Sequence, residues 1–203
     1  MGQSKSKARA KNSPLSSLIS LPALKRERLL SELSEEEANE LLFDWNFWAR
    51  ESQLEPDGDW FVWLLRAGRG YGKTRIGAEF VRKHVESGRA RRVALVARTS
   101  ADARDVMIEG ESGLLNICPP WNCPRWIPSK RRLLWPNGAI ATVYTGEEPN
   151  TLRGPQHDLA WCDEPAHWRY PQDTWDTLIF GLRLGKPQCV ATTTPRPIEL
   201  IRS

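Results

Sequence analysis

Two segments near the amino end, Pro22 to Leu33 and Ser34 to Arg50, carry apolar residues at helical spacing, and each predicts an amphipathic helix. Ser34 with Glu37 three positions on has the form of a capping box, which marks where the second helix begins. The polar stretch 51–59 contains Pro56 and Gly58 and reads as a loop. Trp60 to Leu65 is then an unbroken apolar run with the length of a buried strand. A glycine-rich turn at 68–72 leads into an amphipathic helix from about Thr74 to Ser87, which Gly88 ends. Arg92 to Ala97 is nearly all apolar, as strands buried on both faces of a parallel sheet are, and a helix is expected from Ala101 to Glu109. Between Trp126 and Tyr144 short apolar runs are split by Pro136-Asn137-Gly138, which predicts an antiparallel hairpin. Leu159 to Cys162 and Cys189 to Thr193 are two further short strands, joined through a helix over Gln172 to Leu182.

Strands alternating with helices predict an α/β fold, a mostly parallel central sheet with helices on both sides. The expected organisation is a disordered basic tail over 1–13, a helical extension over 14–50 and one core domain over 51–203. Composition leaves that picture unchanged: 40% hydrophobic and 27% charged residues are ordinary for a globular protein. No apolar run reaches the ~20 residues of a membrane span, so no membrane partner is expected. The tail carries Lys5, Lys7, Arg9 and Lys11 but lacks the apolar stretch of a secretory signal. A net charge of +4 is compatible with a polyanionic partner and by itself selects none. Of the cysteines at 118, 123, 162 and 189, only Cys118 and Cys123 are close in sequence, and a lone C-x4-C pair without a second pair favours reduced thiols over zinc.

The candidate chemistry begins at Ala67-Gly68-Arg69-Gly70-Tyr71-Gly72-Lys73-Thr74, placed after a strand and before a helix as a phosphate-binding loop requires. Glycines let several backbone N–H groups turn toward one point, and the helix amino end adds its positive potential there. Lys73 would neutralise β and γ phosphates, and the Thr74 hydroxyl would coordinate Mg²⁺. Ala67 stands where the motif usually has its first glycine, a mild change in size. The second signal is Leu159 to Glu164, an apolar strand ending in two carboxylates. In a parallel sheet its end lies beside the phosphate loop, so Asp163 would hold the metal through water and Glu164 would polarise the attacking water. Thr192, Thr193 and Thr194 end the next strand with hydroxyls able to reach a γ-phosphate or its water. His167 gives the D-E-x-x-H spacing of a helicase box, while His84 and His157 lack partners at ligand spacing. Arg89 to Arg92 and Lys130 to Arg132 are charge clusters that suit either solvent or DNA phosphates.

The order of these elements resembles the terminase large subunit family. The resemblance runs from about residue 45 to 197, through Trp45, Trp48, Gln53, Trp60, the loop 68–75, Gly77-Ala78-Glu79, Leu152-Arg153-Gly154, Asp163-Glu164 and Thr192 to Pro197. It implies a P-loop NTPase three-layer sandwich that hydrolyses ATP with Mg²⁺ and moves double-stranded DNA into a capsid. It further implies an adenine pocket on this chain at Arg50 and Gln53, and arginine fingers at Arg69, acting within its own subunit, and at Arg153, acting across a ring of subunits. Thr193 and its neighbours match the family's coupling motif. The expected partners are a portal protein, a small terminase subunit and further copies of the chain, in the cytoplasm of an infected bacterial host and transiently at the procapsid portal. The family carries a second, nuclease domain; with its end at Ser203 this chain is expected to lack that domain and its activity. Two other readings stay open: a DExH-type helicase or translocase, and a decayed fragment that binds nucleotide without turnover.

Overall fold

A computed structural model describes residues 14–196, which fall into two compact units divided after Leu54. The basic tail expected over 1–13 lies outside the described residues, as do residues 197–203.

In the first unit four helices follow one another: α1 (Pro14–Ile19), α2 (Ala23–Ser31), α3 (Glu35–Phe43) and α4 (Trp45–Trp48). The capping box at the start of α3 is formed, with Glu37 N–H donating to Ser34 Oγ at 3.2 Å and Ser34 N–H to Glu37 Oε2 at 2.9 Å. The single helix expected over Ser34 to Arg50 breaks at Asp44, whose backbone is extended and whose carboxylate accepts from Asn46 N–H at 2.9 Å. A short acidic side chain competes for backbone donors in this way, ending one helix and capping the next. Helix α1 falls inside the helical extension expected over 14–50, although the apolar spacing predicted no helix before Pro22.

The second unit is built on one sheet: β1 (Val62–Arg66), β2 (Arg92–Ala97), β3 (Arg125–Ile127), β4 (Arg132–Leu134), β5 (Ile140–Thr145), β6 (Leu159–Asp163) and β7 (Gln188–Thr193). Its order is β1-β7-β6-β2-β5-β4-β3. The first five strands of that order are parallel, and β5-β4-β3 continue it as an antiparallel ribbon. The expected hairpin around Pro136-Asn137-Gly138 is the β4–β5 pair, with β5 also pairing with β2 in parallel. Helices α5 (Lys73–Glu86) and α7 (Leu114–Ile117) pack on one face, together with residues 103–108 that follow the short α6 (Ser100–Asp102), and α8 (Pro171–Gly181) with the turn Pro149–Leu152 packs on the other. This is the α/β, three-layer, mostly parallel architecture that the alternation of strands and helices predicts. The helix expected over Ala101 to Glu109 continues from α6 as a π-helical stretch, Ala103–Ile108, with Glu109 N–H donating to Arg104 O at 2.8 Å. Among the described residues no helix is long and apolar enough to cross a membrane.

Two features fix how α5 lies on the sheet. Phe80, Val81 and Val85 bury their side chains against Val93, Leu95 and Val190, each fully buried aliphatic group contributing roughly 1.5–3 kcal/mol. One turn before them Gly77 lies against the indole of Trp161 so closely that any Cβ there would overlap the ring. A glycine at this position therefore lets the amino end of α5 approach β6.

Candidate active site

Because β1, β7, β6 and β2 run in parallel, the segments leaving their carboxyl ends meet along one edge of the sheet. After β1 the chain turns through Ala67 to Gly72, with Gly70 at φ 75° and Gly72 at φ 93°, and Gly72 caps α5. Those left-handed values suit glycine and strain any other residue. Ala67 N–H donates to Thr193 O at 3.1 Å, which ties the loop to the end of β7. Lys73 Nζ donates to Ala67 O at 3.0 Å and Gly68 O at 3.2 Å, and lies 3.5 Å from Glu164 Oε1.

Strand β6 delivers the two carboxylates into unlike surroundings. Asp163 Oδ1 accepts from Thr192 Oγ at 3.0 Å, and Thr192 Oγ in turn accepts from Trp161 Nε1 at 3.1 Å. Burial pushes the Asp163 carboxyl up to about 6 against the Thr192 bond, which favours its anion, and the neighbouring Glu164 charge adds to the rise. Glu164 has a left-handed backbone at φ 47°, a conformation costing about 1–3 kcal/mol outside glycine, and its N–H donates to Thr192 O at 2.7 Å. Both of its carboxylate oxygens are engaged: Oε1 by Thr194 Oγ at 2.7 Å, and Oε2 by Thr194 N–H at 2.8 Å and Thr193 Oγ at 3.3 Å. Burial raises this group, but the Thr194 backbone and hydroxyl bonds, with Lys73 and His167 nearby, outweigh it and hold Glu164 below the ordinary carboxylate value. His167 Nδ1 is 3.3 Å from Glu164 Oε2. Adjacent residues are thus tuned apart, one ionised and one poised to change state.

These groups line a cleft of about 580 Å³, together with Gly68 to Arg75. The structure therefore brings Gly68, Arg69, Gly70, Tyr71, Gly72, Lys73 and Thr74 together with Asp163 and Glu164, and it sets Thr193 behind Glu164. It does not bring Arg153 there. That exposed arginine follows the turn Pro149–Leu152 and lines a second cleft with Gly154, Asp176 and Phe180. Arg50 and Gln53 belong to the first unit, where Arg50 N–H donates to Gln53 Oε1 at 3.0 Å and closes the turn Glu51–Gln53. Sequence reasoning missed Arg98 and Asp102, which pair at 2.9 Å and line the cleft with Ser112. Arg98 directly follows β2, and the rule that residues just past parallel strands face the crevice would have found it. Elsewhere, His84 bonds Phe80 O and Gln188 Oε1 inside the core, His157 is buried beside Tyr144, and the four cysteines are free thiols.

A family model described as the amino-terminal part of the terminase large subunit, T4-like-virus type, matches residues 64–200. The chain belongs to the terminase large subunit family. Solved terminases share its fold. The large terminase ATPase domain of Thermus phage P74-26 superposes with a TM-score of 0.60 at 17% identity, over 82% of this chain and 71% of that one. The HK97 bacteriophage large terminase gives 0.53 at 19% identity, over 85% of this chain and 33% of that one. A large terminase from a thermophilic bacteriophage, solved with ATP-γ-S, gives 0.52 at 11% identity, over 76% of this chain and 36% of that one. This terminase chain thus spans about a third of the length of the latter two. Among curated proteins no match was found.

Proposed function

We propose that this chain is the ATP-hydrolysing motor part of a viral packaging machine, which couples ATP hydrolysis to movement of double-stranded DNA into a capsid. The observation that carries the reading is the 3.5 Å approach of Lys73 to Glu164, the lysine of the loop after β1 meeting the ionised acid at the end of β6 across the mouth of one cleft. Lys73 exchanges the Ala67 and Gly68 carbonyls for phosphate oxygens of ATP, while the loop N–H groups and the amino end of α5 hold the remaining charge. Arg69 lines the same cleft and meets charge that spreads over the γ-phosphate.

The residues present fit Mg²⁺. Asp163 offers a carboxylate with one oxygen fixed by Thr192, and Thr74 adds a hydroxyl in the same cleft, the hard oxygen donors this ion prefers. When bound, the ion neutralises the β and γ phosphate oxygens. Glu164 stays ionised at neutral pH and orients the attacking water, taking its proton as the γ-phosphoryl group leaves. Its three bonds to Thr193 and Thr194 tie that event to β7, a route by which hydrolysis moves the sheet edge. Arg153 acts on a neighbouring subunit of a ring, and Arg50 with Gln53 recognises the base. A portal protein and a small terminase subunit complete the machine in the cytoplasm of the infected host.

A second reading, a DExH-type helicase, rests on His167, which lies 3.3 Å from Glu164 but stands one residue further along the chain than the histidine of a D-E-x-H box. ATP hydrolysis by the purified chain with Mg²⁺, with and without duplex DNA, tests the proposal, with Lys73→Ala as control and a forked duplex as rival substrate. DNA-stimulated turnover lost in Lys73→Ala, without strand separation, supports the motor. Unwinding of the fork selects the helicase, and turnover indifferent to Lys73→Ala removes both.

A further inference from the structure

Between Ser112 and Gly146 the sequence contains no Asp or Glu, yet it carries Arg125, Lys130, Arg131 and Arg132. This stretch supplies β3, β4 and β5. Register decides which way its side chains point. Trp126, Leu133 and Ala141 sit opposite one another and join the core. The alternate rows, Arg125-Leu134-Ile140 and Ile127-Arg132-Thr142, therefore share the opposite face. That is the face α8 covers over β2, β6 and β7; over β3 to β5 it stays open, with Arg125 and Arg132 exposed above a half-buried floor of Leu134, Ile140 and Thr142.

Among the described residues no carboxylate pairs with Arg125, Lys130 or Arg132. Arg131 meets Glu148 at 3.3 Å with both side chains about half exposed, an ion pair worth little in water. Arg131 also holds a left-handed backbone, at φ 50°, in the turn that presents Lys130 and Arg132. Arg92 lies opposite Ile140 at the inner end of one of these rows, where its backbone N–H donates to the Asp158 carboxylate at 3.0 Å, so that end of the row has an acid beside it and the ribbon does not. Arg125 and Arg132 are diagonal neighbours across the ribbon, about 7–8 Å apart at their backbones, a spacing at which each guanidinium can take a separate anionic group. Within β3, β4 and β5 the face offers cations without stacking platforms: Trp126 is turned inward, Tyr144 is buried against His157, and the exposed Trp121 lies outside the strands in the turn Pro120–Asn122. A surface that binds single strands needs exposed aromatic rings, whereas one that meets a duplex backbone needs only spaced charge.

We infer that the open face of β3, β4 and β5 is a docking surface for the phosphate backbone of double-stranded DNA, through Arg125, Lys130 and Arg132. The choice of DNA as occupant rests on the motor reading above. The test is fluorescence anisotropy of a labelled DNA duplex with the whole chain over a salt series, with binding of a fluorescent ATP analogue measured in parallel. The plot of log affinity against log salt should flatten by about 0.9 for each phosphate that is no longer neutralised, hence by about 1.8 in Arg125→Gln/Arg132→Gln, with nucleotide binding unchanged. Lys130→Gln, in an exposed turn, should flatten it by about 0.9 and serves if the double variant fails to fold. Duplex binding with an unaltered slope in these variants overturns the inference and leaves the motor reading standing. A chain that binds nucleotide but no duplex overturns both.

Discussion

The cleft at the carboxyl edge of the sheet and the open ribbon at its far flank both gather cationic side chains, and they treat them in opposite ways. At the edge the charges converge on partners: Lys73 on Glu164 at 3.5 Å and Arg98 on Asp102 at 2.9 Å, with Asp163 buried enough to titrate near 6. On the flank Arg125, Lys130 and Arg132 stand apart in water. Clustered, desolvated charge binds one compact anion strongly and responds to pH. Spaced, hydrated charge binds an extended anion weakly and responds to salt. A single sheet can thus host a chemical site and a gripping surface whose energetics are separable.

That separation can be broken in several ways. The largest expected effect is at the cleft: Glu164→Gln should lower ATP turnover by about 10²–10⁴-fold while leaving nucleotide and duplex affinity in place, read by steady-state kinetics beside equilibrium binding. Next comes pH. Mg²⁺ needs the ionised Asp163, so Mg²⁺ affinity in the nucleotide complex should fall toward tenfold per unit as pH drops below about 6, and Asp163→Asn should remove that dependence. The sign for stability is opposite. A carboxyl raised above its unfolded value stabilises the fold at low pH and loses that contribution as pH rises through about 6, so metal-free Asp163→Asn should be less pH-sensitive in thermal melts. Gly77→Ala should destabilise the fold by about 1–3 kcal/mol, because the added methyl meets Trp161, and chemical denaturation reads this directly. The smallest effects are the changes in salt slope expected on the flank, and they should leave turnover without DNA unaltered.

Much of this was legible in the sequence, for local reasons. The runs that became β1, β2, β6 and β7 are short and apolar, and the helix after Gly72 is amphipathic with its stop at Gly88. Lys73, Asp163 and Glu164 were readable because each directly follows such a run or its turn. What depends on side chains competing with the backbone, or on distant partners, was not readable. The helix break at Asp44 turns on a side chain competing for its own backbone, and the π-helical stretch after α6 on bonds one residue longer than those the 3.6 period encodes. Strand β3 has only three residues and shows no periodicity of its own. The path Trp161–Thr192–Asp163 and the fit of Gly77 to Trp161 exist only once β6, β7 and α5 are stacked. The exposed arginine rows likewise became visible only through register, although the absence of acids around them was in the sequence all along.

The central claim is that the glycine-rich loop and the acidic end of β6 form one nucleotide site. Equilibrium binding of a fluorescent ATP analogue to the purified chain with Mg²⁺, compared with Lys73→Ala, tests it most directly. The account predicts saturable binding that Lys73→Ala weakens by about 10²-fold, the scale set by removing one charge-stabilising group from a preorganised site. A folded chain that binds no nucleotide, or a Lys73→Ala variant that binds as tightly as the original, would contradict it.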